Sequence, residues 1–388
     1  MKFMGYKRPD GKVGIRNHVV VMPGVACSDV AARRIAEAVK GTTYLYNSFG
    51  CAQSLQDVER TLSILTGMLA NPNVHSALIV GLGCESLQGD AYLDRLAKLV
   101  PHKTIRYITI HGEGGLYKTV AKGAALASEL ICEAGACVRK ECALSDLMLG
   151  LECGGSDPTS GISANVALGE VSDRIVDSGG TTVISETAEA IGAEHVMRAR
   201  GATPEIGQAI FDAIKEKDRY YRDVVSQDIR KSNPSPGNIR SGLSTLEEKS
   251  LGCINKSGTR PFTGCFAYGD IVDVKGAVFL ETGTYDATST IGEIAAGCQT
   301  VVFTTGMGNP IGCAVAPVIK ITGNHQTYEA LTDILDFDTS ANLRGEKTVP
   351  EVADDLLALI LDVCNGKPTK AELNGADVMV IDQYFMGP

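Results

Sequence analysis

The chain is predicted to be an α/β protein built as two Rossmann-like parallel-sheet domains flanked by helices. Three observations predict it. Over the first 135 residues short β-rich runs alternate with helical stretches at the spacing of βαβ units. A polar break at 136–145 (ACVRKECALS) is then followed by a second round of the same alternation. At 388 residues the chain is too long for one ordinary domain. The predicted domains are residues 1–140, with cysteines at its strand ends, and residues 141–388, with glycine-rich substrate loops.

In the first domain the predicted strands are 18–22 (HVVVM), 42–46 (TTYLY), 76–82 (SALIVGL) and 104–110 (TIRYITI). Helical spacing runs through 28–39, 55–69, 90–99 and 116–133. In the second, strands are expected at 147–151, 181–185, 276–280 and 300–304, and helices at 164–177, 204–228, 243–256 and 349–365. Between the middle helices lies SNPSPGN (232–238), where proline and glycine forbid continuous helix. Right-handed crossovers would place helices on both faces of each sheet.

Composition excludes several classes. Hydrophobic residues are 44% and charged residues 21%, the balance of a globular protein with a real core. A net charge of -10 with no Lys/Arg cluster argues against nucleic acid as a partner. The N-terminus lacks an apolar signal-peptide core, and no apolar run approaches the length of a membrane span. A cytoplasmic protein is expected. There its 12 cysteines are not a disulfide framework, and the absence of a CxxC pair argues against a zinc knuckle. Cys132, Cys137, Cys142, Cys253, Cys265, Cys298 and Cys364 read as small buried hydrophobes.

Cys27, Cys51 and Cys84 each follow one of three successive predicted strands. In an open parallel sheet the carboxyl ends of the strands share one edge, so these thiols converge. Three convergent thiolates with no fourth suit iron, as Fe2+ or in an iron–sulfur cluster that keeps a position open for substrate. A fourth strand end carries His111 in HGEGG, which lacks the glycine order of a dinucleotide site. In the second domain LECGGSDPTSGI (151–162) packs Cys153, Gly154, Gly155, Ser156, Asp157 and Ser160 into one loop. Such a loop is a natural nest for a carboxylate. SETAEAIGAEH (185–195) brings Glu186, Glu194 and His195 after a strand, the residue types of general acid–base work or metal binding. A glycine-rich turn at 304–317 contains Cys313.

At these residues the chain resembles the altronate and galactarate dehydratase family. The family's GYxRxDGxVGxRN, GLGCE and GLxCGGSDxxSGIxAN runs appear at 5–17, 81–85 and 150–165. Its SETxExxGAEH, NPSPGN and FTTGxGxxxGC runs appear at 185–195, 233–238 and 303–313, so the likeness covers nearly the whole chain in order. The family also includes the β subunit of (2R)-sulfolactate sulfo-lyase. The resemblance implies iron-dependent β-elimination from a small anionic 2-hydroxy acid. Dehydration of a sugar acid to a 2-keto-3-deoxy acid comes first, and release of sulfite and pyruvate from sulfolactate second. It also implies a small SAF-type domain, expected here on a separate small subunit, and a homo-oligomer of the large chain. FGCAQ (49–53) and FLETGTYDA (279–287) depart from the sugar-acid members and leave the substrate open.

Elimination requires removal of the proton α to a carboxylate, stabilisation of enolate-like charge and help for the leaving group. His195 and Glu194 are the expected base candidates, with Glu186 beside them and His111 as runner-up. Arg16 and Asn17 are the expected carboxylate binders, because a guanidinium fork fits a carboxylate. Cys27, Cys51 and Cys84 are the expected metal ligands, with Cys153 and Cys313 as the alternative set. Two readings of another class stand beside this one: a non-catalytic binding subunit and a thiol redox protein.

Overall fold

The computed structural model describes residues 1–283 and 285–384. Its first parallel sheet has the order Thr42–Tyr44, His18–Pro23, Val74–Gly81, Ile105–Thr109. These are the four strands predicted from their β-branched runs. Successive side chains in a strand face opposite ways. Val19, Val21, Leu78 and Val80 therefore pack on one face against helices Asp29–Ala38 and Leu116–Gly135. Val20, Met22, Ala77 and Ile79 pack on the other against Leu55–Ala70 and Gly89–Leu99.

The second sheet has seven parallel strands in the order Phe262–Phe266, Gly276–Leu280, Thr181–Ile184, Met148–Cys153, Thr300–Thr304, Val318–Thr322, Phe337–Asp338. From the central strand Met148–Cys153 the chain first winds toward Thr181–Ile184. It later returns on the opposite side at Thr300–Thr304. That reversal opens a crevice at the carboxyl ends of the two central strands, where open α/β sheets take ligands. Helices Asn165–Asp177 and Val349–Cys364 cover one face with Leu168, Ile175, Leu356 and Ile360.

Helix Asp286–Ala296 was not expected. Every residue from Ala287 to Ala296 is buried, so the segment has no polar face and no helical period to read. Strands Phe262–Phe266, Val318–Thr322 and Phe337–Asp338 were also not expected. The predicted linker contains a strand, Lys140–Ala143, that pairs antiparallel with Lys2–Lys7 in a small third sheet. Its partner lies at the far end of the first unit, a pairing no local pattern announces. Cys142, Cys253, Cys298 and Cys364 are buried as expected, but Cys132 is exposed and Cys137 and Cys265 are only half-buried. Cys132 falls on the solvent side of its helix.

The two large sheets share one apolar core, in which Leu65 and Met68 meet Ile291 and Phe303. Helices Leu55–Ala70 and Asp286–Ala296 cross at Gly67, where a Cβ would lie 2.6 Å from the Ala295 carbonyl oxygen. Beside the crossing, the Asn71 amide donates to the carbonyls of Ile294 (2.8 Å) and Cys298 (2.9 Å). The Asn73 amide does the same for Gln299 (2.8 Å) and Val315 (3.1 Å). Among the described residues no helix is long and apolar enough to cross a membrane.

Candidate active site at the crevice of the second sheet

Strand Met148–Cys153 delivers Cys153 to the crevice, and the chain turns there through Gly154 and Gly155. A side chain at Gly154 would collide with the Asp286 carboxylate and come within 2.7 Å of the Phe303 ring. Only glycine lets the first residue of helix Asp286–Ala296 stand against this turn. The cavity above it, about 430 Å3, is bordered by Cys153, Glu186, Glu189, Asn233, Lys249 and Asp286.

Charges meet under this cavity. Glu186 follows strand Thr181–Ile184 in the left-handed region (φ 63), which costs a non-glycine residue about 1 kcal/mol or more. Its backbone N–H donates to the Thr282 hydroxyl (2.8 Å), and its carboxylate accepts from the Cys153 N–H (2.9 Å) and the Lys256 ammonium (2.6 Å). Lys256 is 0% exposed and also lies 3.0 Å from the Cys253 sulfur. Burial alone would lower the Lys256 pKa, but Cys153, Cys253, Glu186 and Glu152 together hold it well above the ordinary lysine value. The Cys153 and Cys253 sulfurs are 3.6 Å apart. That contact lowers Cys253, helped by Lys256, and raises Cys153, helped by burial.

Asp286 is a buried carboxyl on the cavity wall. Burial, reinforced by repulsion from Glu186 and Glu189, pushes it up to about 7, and the Asn309 amide donates to it at 3.1 Å. Lys249 faces it across the cavity, donating to Glu189 (3.0 Å) and Asn233 (2.8 Å). Beneath, the Ser185 hydroxyl lies 2.9 Å from both Glu152 and Glu293. One hydroxyl proton cannot serve both, and burial raises Glu293 to about 8 and Glu152 well above its ordinary value. Burial thus favours the protonated form of both carboxyls. Two strands away the Lys320 ammonium sits 3.7 Å over the Phe303 ring, lowered by burial to about 7.

The predicted residues do not gather in one place. Cys153, Gly154, Gly155 and Glu186 line the cavity. Ser156, Asp157 and Ser160 line a neighbouring one of about 270 Å3. There Asp157 is committed to Ser160 N–H (3.1 Å), Thr159 (2.6 Å) and Asn324 (2.9 Å), so it caps the turn. Several residues sit elsewhere. The Arg16 guanidinium is occupied by Glu372 (2.8 Å) and the carbonyls of Ile15 and Val363 (both 2.9 Å), because it locks the chain's two ends together. Asn17 bridges Arg8 (2.8 Å) and the Ala134 carbonyl (2.9 Å). Glu194 is held below its ordinary value: burial alone would raise it, but the ion pair with Lys215 and the Gly192 N–H (2.6 Å) prevail. His195 beside it is exposed. Cys313 is buried in the shared apolar core, its thiol pushed up by burial to about 12.

Cys27, Cys51, Cys84 and His111 are all exposed at the carboxyl edge of the first sheet. Their loops touch: Ala26 N–H donates to Phe49 O (3.0 Å), Leu87 N–H to Gly50 O (3.0 Å) and His111 N–H to Leu82 O (2.9 Å). The Cys51 sulfur lies 3.7 Å from the Ser86 hydroxyl. Among the described residues one trio of His, Cys, Asp or Glu ligand atoms lies within single-ion spacing, Cys153, Glu186 and Cys253, all within 4.8 Å of one another. Two thiols and a carboxylate suit a transition metal, but the Lys256 ammonium already occupies the cationic position among them.

Four participants escaped the sequence reading: Lys249, Cys253, Lys256 and Asp286. The first three did leave a signal. Positions 249, 253 and 256 are spaced i, i+4, i+7, which puts two lysines and a cysteine on one face of a helix. Asp286 left none, since it opens the helix whose buried residues hide its period.

A doubly wound sheet whose switch-point crevice holds a buried acid, paired lysines and thiols has the form of an α/β catalytic domain. Residues 144–386 match the C-terminal domain of D-galactarate/altronate dehydratases. Residues 5–135 match the second domain of D-galactarate dehydratase/altronate hydrolase. The chain belongs to this family. It is 34% identical to altronate dehydratase of Bacillus subtilis, over 96% of this chain and 76% of that one. It is equally, 34%, identical to the (2R)-sulfolactate sulfo-lyase subunit beta of Chromohalobacter salexigens, over 99% of this chain and 97% of that one. Galactarate dehydratase (L-threo-forming) of Escherichia coli is 29% identical over 94% and 73%.

Proposed function

We propose that this chain is the catalytic part of a lyase that eliminates a β-substituent from a small anionic 2-hydroxy acid, most simply by dehydrating a sugar acid. The observation that carries the reading is Asp286, a carboxyl raised to about 7 against the Gly154 turn, in the crevice of a chain whose relatives are named as lyases. A carboxylate with that pKa is matched to removing a weakly acidic proton near neutral pH. Lys249, Asn233 and Ser235 supply donors for substrate oxygens at the opposite wall. Glu186, held by Lys256, stands where a developing positive or protonated group would be met. Iron is the cofactor in this reading, with Cys27, Cys51 and Cys84 as its ligands; their sulfurs do not lie within single-ion spacing, which favours an iron–sulfur cluster over one Fe2+. Those three thiols are exposed on touching loops, whereas Cys153 and Cys253 already have Lys256 as their cation. Such a metal would supply Lewis-acid stabilisation of the enolate-like charge. The C-terminal stretch connects the two edges: Gln53, next to the Cys51 loop, donates to Gln383 (2.5 Å), and Asp382 stands against Gly283, near Asp286.

A second reading, sulfite release from (2R)-sulfolactate, is favoured by one observation. The sulfo-lyase subunit is the relative matched over 97% of its own length. That relative is itself a subunit, which supports a small partner chain here too. The deciding experiment incubates the chain, with and without its candidate small partner, with altronate, galactarate and (2R)-sulfolactate. A 2-keto-3-deoxy acid establishes the first reading, sulfite with pyruvate the second. No turnover of any of them under anaerobic, iron-replete conditions overturns both.

A further inference from the structure

We propose that Cys253 and Cys153 form a peroxide-reactive thiol pair that closes to an intramolecular disulfide. Their sulfurs are already 3.6 Å apart, from the end of a central strand to the end of helix Leu246–Cys253. A disulfide requires about 2.0 Å between sulfurs, so closure brings these two together by about 1.6 Å. The two thiols differ in surroundings. Cys253 lies 3.0 Å from the fully buried Lys256 ammonium, which stabilises its thiolate, the nucleophilic form. Cys153 instead has the Glu186 carboxylate 3.6 Å from its sulfur, an acceptor for its proton. Both are buried, yet each borders a cavity: Cys253 the one of about 270 Å3 and Cys153 the one of about 430 Å3. A molecule as small as hydrogen peroxide enters either.

The chemistry balances with peroxide as the named oxidant. The Cys253 thiolate attacks one peroxide oxygen and the O–O bond breaks. This gives the sulfenic acid and hydroxide, which takes a proton from solvent to become water. Cys153 passes its proton to Glu186 and its sulfur attacks the Cys253 sulfur. The S–O bond breaks, and hydroxide leaves as water with the proton held by Glu186. Two thiols are oxidised by two electrons and one peroxide is reduced to two waters. Lys256 keeps its partner Glu186 at 2.6 Å after Cys253 loses its charge, so the closed form leaves no buried ion unpaired. The disulfide would pin the floor of the crevice to the helix that carries Lys249. This inference stands independently of the lyase reading.

The test treats the purified chain with stoichiometric hydrogen peroxide, quenches in acid, alkylates free thiols under denaturing conditions and maps peptides by mass spectrometry. The expected result is a linked pair of peptides carrying Cys153 and Cys253, absent from Cys253→Ser and Cys153→Ser and reversed by dithiothreitol. In Cys253→Ser the Cys153 thiol should stay fully alkylatable at the same dose. Oxidation confined to the exposed Cys27, Cys51 and Cys84 would overturn the proposal. So would a Cys253 that runs on to sulfinic acid with Cys153 still free.

Discussion

At the carboxyl edge of the first sheet, Cys27, Cys51 and Cys84 stand exposed around His111 on loops tied to one another by backbone hydrogen bonds. At the carboxyl edge of the second, Cys153 and Cys253 are buried with Glu186 and Lys256, and Asp286 overhangs them. Both edges end parallel strands in glycine-rich turns, so topology alone does not distinguish them. The difference is charge compensation. The second edge contains its own counter-ions, and beneath them two carboxyls whose protonated form burial favours, a preorganised electrostatic site. The first edge contains exposed soft donors, the kind of group a bound metal would draw together. The comparison is what the proposed division rests on, proton transfer at one edge and metal binding at the other.

The sharpest way to break that assignment is Asp286→Asn. Removing a cavity carboxyl tuned near neutrality should lower kcat by roughly 10²–10⁴-fold with a smaller change in KM. It should also erase the limb of the kcat/KM profile near pH 7. The variant carries a stability signature as well. The folded carboxyl sits at about 7 against an ordinary 3.8, so the native state holds a proton that the unfolded chain releases. Its contribution is full below about pH 4 and is lost as pH rises toward 7. Denaturation of wild type should therefore show a falling stability over that window, and Asp286→Asn should make the fall shallower, the remainder coming from Glu152 and Glu293. A mutant with the wild-type rate would move the chemistry out of this crevice.

Lys256→Met comes next. It leaves Glu186 and Cys253 buried without their cation, a loss of about 3–5 kcal/mol in urea denaturation. Adding Glu186→Gln should recover part of that loss, because the stranded charge goes with it. If the single variant is as stable as wild type, the trio is held by something other than this ammonium, and a metal ion becomes the leading occupant. At the other edge, replacing Cys27, Cys51 and Cys84 one at a time with Ser should lower iron content after anaerobic reconstitution while the thermal midpoint moves little. Those side chains are exposed and contribute little packing. Retained iron in all three variants, but loss in Cys153→Ser, would reverse the comparison between the edges.

The sequence announced the architecture well where elements carry a period. The strands at 18–22 and 276–280 and the helices near 165–177 and 349–364 read directly from β-branched runs or amphipathic spacing. Helix Asp286–Ala296 failed because burial on every side erases that signal, and with it went Asp286. Glu186 was legible as a strand-end acid, and Cys153 as part of a glycine loop. Their partner Lys256 was not, since a lysine reads as surface unless its neighbours three and seven residues back are read with it. Arg16 and Glu194 show the opposite case. A cation or acid of the right chemistry looks functional until the structure supplies its partner, here Glu372 and Lys215. Ion pairs between residues far apart in sequence, 356 positions in the case of Arg16, leave no local trace.

His195→Gln gives the smallest expected effect and the most direct check on that lesson. The side chain is exposed on the short helix Glu194–Ala199, outside the residues bordering the cavity. Glu194 before it is bound to Lys215 and cannot orient the imidazole as a carboxylate partner would. A surface substitution of this kind shifts stability by no more than about 0.5 kcal/mol. With no contact to the cavity, kcat should change less than about twofold, which is that same energy applied to a barrier. The pH profile should keep its limb near 7, because that limb belongs to Asp286. A hundredfold loss with an altered limb would place the base on this helix instead. The crevice would then bind substrate, and the proton would leave toward the surface that His195 faces.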